Sequence, residues 1–264
     1  MLKGIKNEQR PSPSAPAITA PTRLTVELLT LLEGALRDGG TARGMLMWAI
    51  CCLGVSAMPR PAELFGVASG QLARPSPQLS SLVFFDAGGA RIDAKDARAD
   101  RPTPVRFTWD IGRSKADQHG KRGGTPVAAA YAVRAIWAWC CYRAELGASS
   151  ADIFHLDGAV ITQHAVLRAL EAAHQTQDLG PAVFQGKCFR QGGAASQVAA
   201  GVAVSDIASA GRWKSGTMPV LYGGVDASFQ RRLLVSAATD PRQAAASYSS
   251  ASGFGAGANQ PSRR

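Results

Sequence analysis

The chain is poor in the residues from which metal and disulfide chemistry are built. Its four histidines, His119, His155, His164 and His174, are scattered without H-E-x-x-H or any other ligand spacing, so no metal site is expected. Five cysteines stand as Cys51-Cys52, Cys140-Cys141 and Cys188. With no C-x-x-C and the pairs set in apolar runs, they read as reduced, buried thiols of an intracellular protein, not as a zinc site or a disulfide framework. The sequence also has no P-loop G-x-x-x-x-G-K-[ST] and no strand-linked G-x-G-x-x-G, which disfavours a nucleotide-dependent enzyme; no cofactor is expected. The longest apolar run, Met45 to Met58, is too short to span a bilayer, and Met1 to Pro11 carries no apolar signal-peptide core. Acidic residues are few: 19 Asp and Glu face 29 Lys and Arg, a formal charge of +10. A polyanion is therefore the first partner to consider, although such a surplus also serves solubility.

What is present is an apolar fraction of 46% in 264 residues, enough to fill a core. The expected organisation is a central unit between two loose ends. Residues 1–21 contain most of the Pro, Ser and Ala-rich "NEQRPSPSAPAITAPTR", which runs over residues 7–23, and read as a linker; residues 239–264 are small, polar and Gly-rich and read as a disordered tail. Between them, residues 22–238 form one unit. Leu28, Leu32, Ala35 and Leu36 make a helical stripe after Thr25 that Gly39-Gly40 stops, and Met45 to Met58 is apolar nearly all round, as in a buried helix. "LSSLVFF", "PVRFTWDI" and "PVAAA" read as three short strands, the last two joined by a turn at "DQHGKRGGT". Further helices are expected over about 131–146, 162–174 and 190–201, then in short pieces to about 236. The fold class is α+β, mostly helical with a small three-stranded antiparallel sheet.

Several cations stand in unusual places. Arg60 lies between Pro59 and Pro61, just after the apolar run; the following proline makes its backbone extended and opens the next helix. A stiffly held guanidinium suits a phosphate, and an ion pair with Glu63 at the helix start suits the same residues. Lys115 stands near the expected hairpin turn. Lys187 and Arg190 lie three apart at a helix start, where two cations oppose the helix dipole unless an anion fills the site. In "AGRWKSGTMPVLYGG", Arg212 and Lys214 flank Trp213, and Tyr222 follows nine residues after Trp213.

In chain order, Arg60, Lys115, Lys187, Arg190, Trp213 and Tyr222 resemble the catalytic set of the tyrosine recombinase, or phage integrase, family. The family pattern starts with Arg and a Glu three residues on, as in "RPAEL". It continues with a hairpin lysine, a box written His-x-x-Arg, then "GH" or "GRW", and a Tyr nine residues later; "KCFRQGG" and "GRWKSGTMPVLY" match in type, order and spacing. "ADIFHLDGAVITQHAV" looks like the segment before the second box. The resemblance covers about residues 22–236.

The resemblance implies metal-independent cleavage and rejoining of double-stranded DNA through a 3′-phosphotyrosyl intermediate, in DNA recombination or integration. Tyr222 would be the nucleophile, Arg60 and Arg190 would clamp the phosphate oxygens, Lys115 would protonate the leaving oxygen, and Trp213 would pack on or donate to the phosphate. Glu63 would support Arg60, while Arg113, Lys121, Arg212 and Lys214 would contact DNA. It further implies a DNA-associated location in nucleus or nucleoid and a homo-oligomer on DNA, tetrameric in synapsis.

Two departures from the pattern matter. Lys187 stands where most members have His; it can donate but is a poor acceptor for the tyrosine proton, although type IB topoisomerases commonly carry Lys here. Members also carry a helical N-terminal core-binding domain that clasps the duplex, of which residues 1–21 look like a remnant. The competing expectation is a truncated, catalytically inactive DNA-binding remnant of a mobile element.

Overall fold

The computed structural model describes residues 21–66, 76–112 and 124–223. The expected linker over residues 1–21 lies outside them except for its last residue. The expected tail at 239–264 and the helical pieces expected beyond residue 223 also lie outside.

Helix α1 (Val26–Arg37) starts where Thr25 accepts a hydrogen bond from the Leu28 backbone N–H, and its buried stripe is Leu29, Leu32 and Leu36. Asp38, in left-handed conformation at φ 45°, stops it. Thr41 caps α2 (Ala42–Ala57) in the same way through Gly44. This helix is the centre of the molecule: from Leu46 to Ala57 nearly every side chain is buried, and α1, α4 and α6 pack around it. It ends at Met58, also left-handed at φ 48°, and Pro61 then opens the single turn α3 (Pro61–Phe65).

The sheet has four strands, not the expected three. β1 (Leu82–Phe85), β2 (Arg91–Asp93), β3 (Arg106–Trp109) and β4 (Thr125–Val127) lie in the order β2-β1-β3-β4, all antiparallel. The added strand, "RID", is a short edge strand that packs only Ile92, partly buried, against the core; Asp86 and Gly89 (φ 83°) make its turn. The first half of "LSSLVFF" is a 3-10 turn, so β1 starts only at Leu82. Phe84 faces Phe107 across the ladder, their rings 5.5 Å apart, and Trp137 of α4 (Ala130–Glu145) meets Phe84 edge-on at 5.0 Å.

A second sheet of two strands, β5 (His155–Leu156) and β6 (Ala159–Val160), turns through Asp157 and Gly158, both at positive φ, as a tight two-residue hairpin requires. Helices α5 (Gln163–Thr176), α6 (Cys188–Ala199), α7 (Val204–Ala210) and α8 (Thr217–Gly223) complete the order. All five cysteines are buried and unbridged. Among the described residues no helix is long and apolar enough to cross a membrane.

Two adjacent glycines let α6 sit against two neighbours at once. A Cβ on Gly192 would lie 1.9 Å from the Leu24 carbonyl oxygen, and one on Gly193 2.1 Å from that of Val55. The chain entry at Leu24 and the end of α2 thus both touch the helix that carries Arg190. Beneath the end of α2 a second, smaller core of Met58, Ala194 and Ile207 supports Trp213 and Tyr222.

Candidate active site

The end of α2, the start of α3, the first turn of α6 and the α7–α8 segment converge on one place. Arg60 takes extended backbone geometry (φ −72°, ψ 154°) ahead of Pro61, as the flanking prolines require. Glu63, third in α3, reaches back: its Oε2 accepts from the Arg60 backbone N–H at 2.8 Å and its Oε1 from Arg60 Nη1 at 2.8 Å. Arg60 is thus ion-paired while its side chain stays 30% exposed.

Glu63 itself is only 3% exposed and holds a second cation, Arg212 Nη2, at 2.8 Å. Burial pushes its carboxyl pKa up, but the Arg212 charge and the bonds from Arg60 outweigh burial and hold it below the usual carboxylate value.

Arg190, in the first turn of α6, is 6% exposed. Its Nη1 donates to the Met58 carbonyl at 2.7 Å and its Nη2 to the Gly211 carbonyl, while the guanidinium lies over the Trp213 ring, 4.1 Å from the centroid. Carbonyl dipoles and an aromatic face thus replace the counter-ion that a buried cation needs. Burial, then the Arg60 and Arg212 charges, push its pKa down to about 10, which leaves it protonated at neutral pH and short of negative charge.

Tyr222 in α8 packs edge-on against Trp213, ring centroids 5.7 Å apart. Trp213 lies in the turn between α7 and α8 and folds back so closely that a Cβ on Gly211 would sit 1.8 Å from its ring.

Lys187 immediately precedes α6 and is exposed. Its neighbour Gly186 lies where a Cβ would be 2.9 Å from Pro61 Cγ, which puts Lys187 beside the start of α3. Lys214 is exposed in the turn after Trp213. Arg212 turns inward: its side chain is 10% exposed, and besides Glu63 it donates to Thr125 Oγ1 at 3.1 Å. Lys115, Arg113 and Lys121 lie outside the described residues.

Two participants escaped the sequence reading. Thr125 opens β4 and carries no motif. Arg23 donates from Nη1 to the backbone carbonyl of Tyr222 at 2.7 Å across 199 positions of sequence. Only a solved fold brings such pairs together, because a backbone acceptor leaves no mark on residue type. Among the described residues, no three His, Cys, Asp or Glu side chains gather as a metal site.

The fold is one that a recombinase also has. The crystal structure of XerA recombinase matches this chain with a TM-score of 0.52 at 15% identity, covering 83% of this chain and 65% of that one. The chain thus spans 65% of the length of that structure. No protein-family model matches the chain, and no curated protein matches it in sequence.

Proposed function

We propose that the chain is a tyrosine recombinase catalytic unit that cleaves and rejoins double-stranded DNA through a covalent 3′-phosphotyrosyl link. The observation that carries this reading is that three separate parts of the chain bring together Arg60 paired with the buried Glu63, Arg190 over the Trp213 ring, and Tyr222 against Trp213, with Arg212 linking Glu63 to the Trp213 turn. The recombinase-like fold supports it.

In the proposed chemistry the Tyr222 hydroxyl oxygen attacks the scissile phosphorus, its proton passes to solvent water, the bond to the 5′ oxygen breaks, and a proton is delivered to that oxygen. Lys115 is assigned the delivery. The transition state gathers charge on the non-bridging oxygens, where Arg60, Arg190 and the exposed Lys187 would stabilise it. A 5′ hydroxyl then reverses the step, so the bond energy is kept and no external energy source is required. On DNA the chain would work as a homo-oligomer, four copies in synapsis.

The test is a covalent trap. A library of nicked duplexes, on which the cut fragment diffuses away, is incubated with the chain, denatured in detergent and searched by peptide mass spectrometry for DNA on Tyr222. An adduct that Tyr222→Phe abolishes is the expected result. No adduct, at salt where the chain binds DNA, would favour the second reading, an inactive DNA-binding remnant. One observation leans that way: Arg190 is nearly enclosed by its carbonyl partners and Trp213.

A further inference from the structure

Arg212 occupies a backbone conformation, φ 58°, that L side chains rarely adopt. Glycine would take that position without strain, yet the glycine of this segment is the residue before it, with ordinary φ of −78°. A strained position that carries the longest polar side chain persists only where that side chain is held from several sides. Here it is. Nη2 donates to Glu63 Oε2 at 2.8 Å; Nη1 lies 3.1 Å from Thr125 Oγ1, 3.3 Å from the Ala210 carbonyl and 3.4 Å from that of Ala57. One guanidinium thereby ties α3, β4, the end of α2 and the α7–α8 turn together. A contact to a DNA backbone has to reach solvent, and this side chain reaches the other way.

Resting on the strand-cleavage reading above, we infer that Arg212 is a positioning residue: it fixes the buried Glu63 carboxylate that aims Arg60, and through its own backbone it seats Trp213 over Arg190. Three arginines and one carboxylate meet here, so the Glu63 charge is shared between two partners. Without Arg212 the whole carboxylate charge would fall on Arg60, whose guanidinium would be more fully neutralised and pulled from the phosphate position. Trp213, next in the chain, would lose the anchor of the turn that closes it over Arg190.

The experiment compares full-length wild type, Arg212→Gly and Arg212→Lys by three measurements: affinity for a random-sequence duplex across a salt series, adduct formation at saturating nicked duplex, and amide hydrogen exchange. Glycine removes the guanidinium and the backbone strain together. The expected result is a tenfold to hundredfold fall in the saturating rate, of the order that about 1 Å of misplacement causes, with affinity and its salt dependence unchanged. Arg212→Lys keeps the charge but cannot span Glu63 and Thr125, and should restore only part of the rate.

An unchanged saturating rate with a salt slope shallower by about 0.9 would overturn the inference, because that is the mark of one lost phosphate contact. If wild type forms no adduct, the cleavage reading fails separately, and exchange decides the linkage. Faster exchange at residues 60–65 and 211–214 in Arg212→Gly supports it; unchanged exchange there overturns it. Should Arg212→Gly not fold, Arg212→Lys and Thr125→Val are compared in its place, and normal rates in both would overturn the inference.

Discussion

The two halves of the site hold their arginines by opposite means. Around Glu63, Arg60 and Arg212 are fixed by a full negative charge with 2.8 Å contacts on both carboxylate oxygens. Around Trp213, Arg190 has two carbonyls and a ring face, and no carboxylate bonded to it in the described structure. The first half has a full counter-charge, whereas the second has none bonded to it, and burial first, then the Arg60 and Arg212 charges, lower the Arg190 pKa. In the proposed reaction a phosphate would gain most at Arg190, with the Glu63 half supplying stiffness. Left-handed residues stand on both sides of the divide, Met58 before Arg60 and Arg212 before Trp213, and each turns the chain so that a carbonyl or a guanidinium faces inward.

The sharpest way to break this comparison is Arg190→Ala. Cleavage at saturating DNA should fall about a hundredfold to a thousandfold, the usual cost of losing one preorganised donor to the transition state. Relief of an enclosed cation and loss of its bonds to the Met58 and Gly211 carbonyls oppose each other, so the urea unfolding midpoint should change little. A marked loss of stability would mean that Arg190 is a structural bolt, and the contrast would collapse.

Glu63→Gln should show the reverse pattern. Removing one partner of a buried ion pair leaves Arg212 uncompensated, so stability at neutral pH should fall by about 3 kcal/mol. The pH dependence has a definite sign. The folded pKa of Glu63 lies below its unfolded value, so its stabilisation is present above the ordinary carboxylate range and is lost as pH falls through the depressed folded value. Unfolding midpoints of wild type and Glu63→Gln should therefore draw together in acid. Parallel curves down to the lowest pH would show that Glu63 carries no special charge interaction.

How far the sequence discloses this site depends on the kind of signal. The stripe of Leu29, Leu32 and Leu36 and the wholly apolar α2 follow from periodicity, and both helices stand where it puts them. Arg60 is legible because prolines on both sides constrain its backbone. The edge strand at Arg91–Asp93 is not, since three residues with a single apolar side chain, Ile92, offer no alternation to read. The two-residue strands β5 and β6 are too short for any window, although "LDGA" is a fair turn signal. Arg212 reads as outward from charge alone; its inward turn depends on a φ of 58°, which residue type argues against.

A smaller change sharpens the aromatic half. Trp213→Phe keeps a ring over Arg190 but weakens the cation–π contact, and the cost should be about 1 kcal/mol, roughly a fivefold loss of rate. Trp213→Ala should do more, by opening both Arg190 and the edge contact to Tyr222. Equal losses in the two variants would mean that the indole N–H, not the ring face, is what the reaction uses.

The smallest expected effect asks whether the chain entry belongs to either half. Arg23 bonds the Tyr222 carbonyl near the end of α8, while the Leu24 backbone presses on Gly192 of the Arg190 helix. Arg23→Ala removes one half-buried charged hydrogen bond, worth roughly 1 kcal/mol. If the bond only tethers the helix end, the loss appears in the unfolding midpoint and the saturating cleavage rate stays within about twofold, well under the tenfold that 1.36 kcal/mol of barrier would produce. If it sets the reach of the Tyr222 hydroxyl, the rate falls severalfold while DNA affinity is unchanged, and Arg23→Lys recovers part of it. The second outcome would extend the aromatic half of the site back to the entry of the chain, giving the nucleophile an anchor of its own that the Glu63 network does not share.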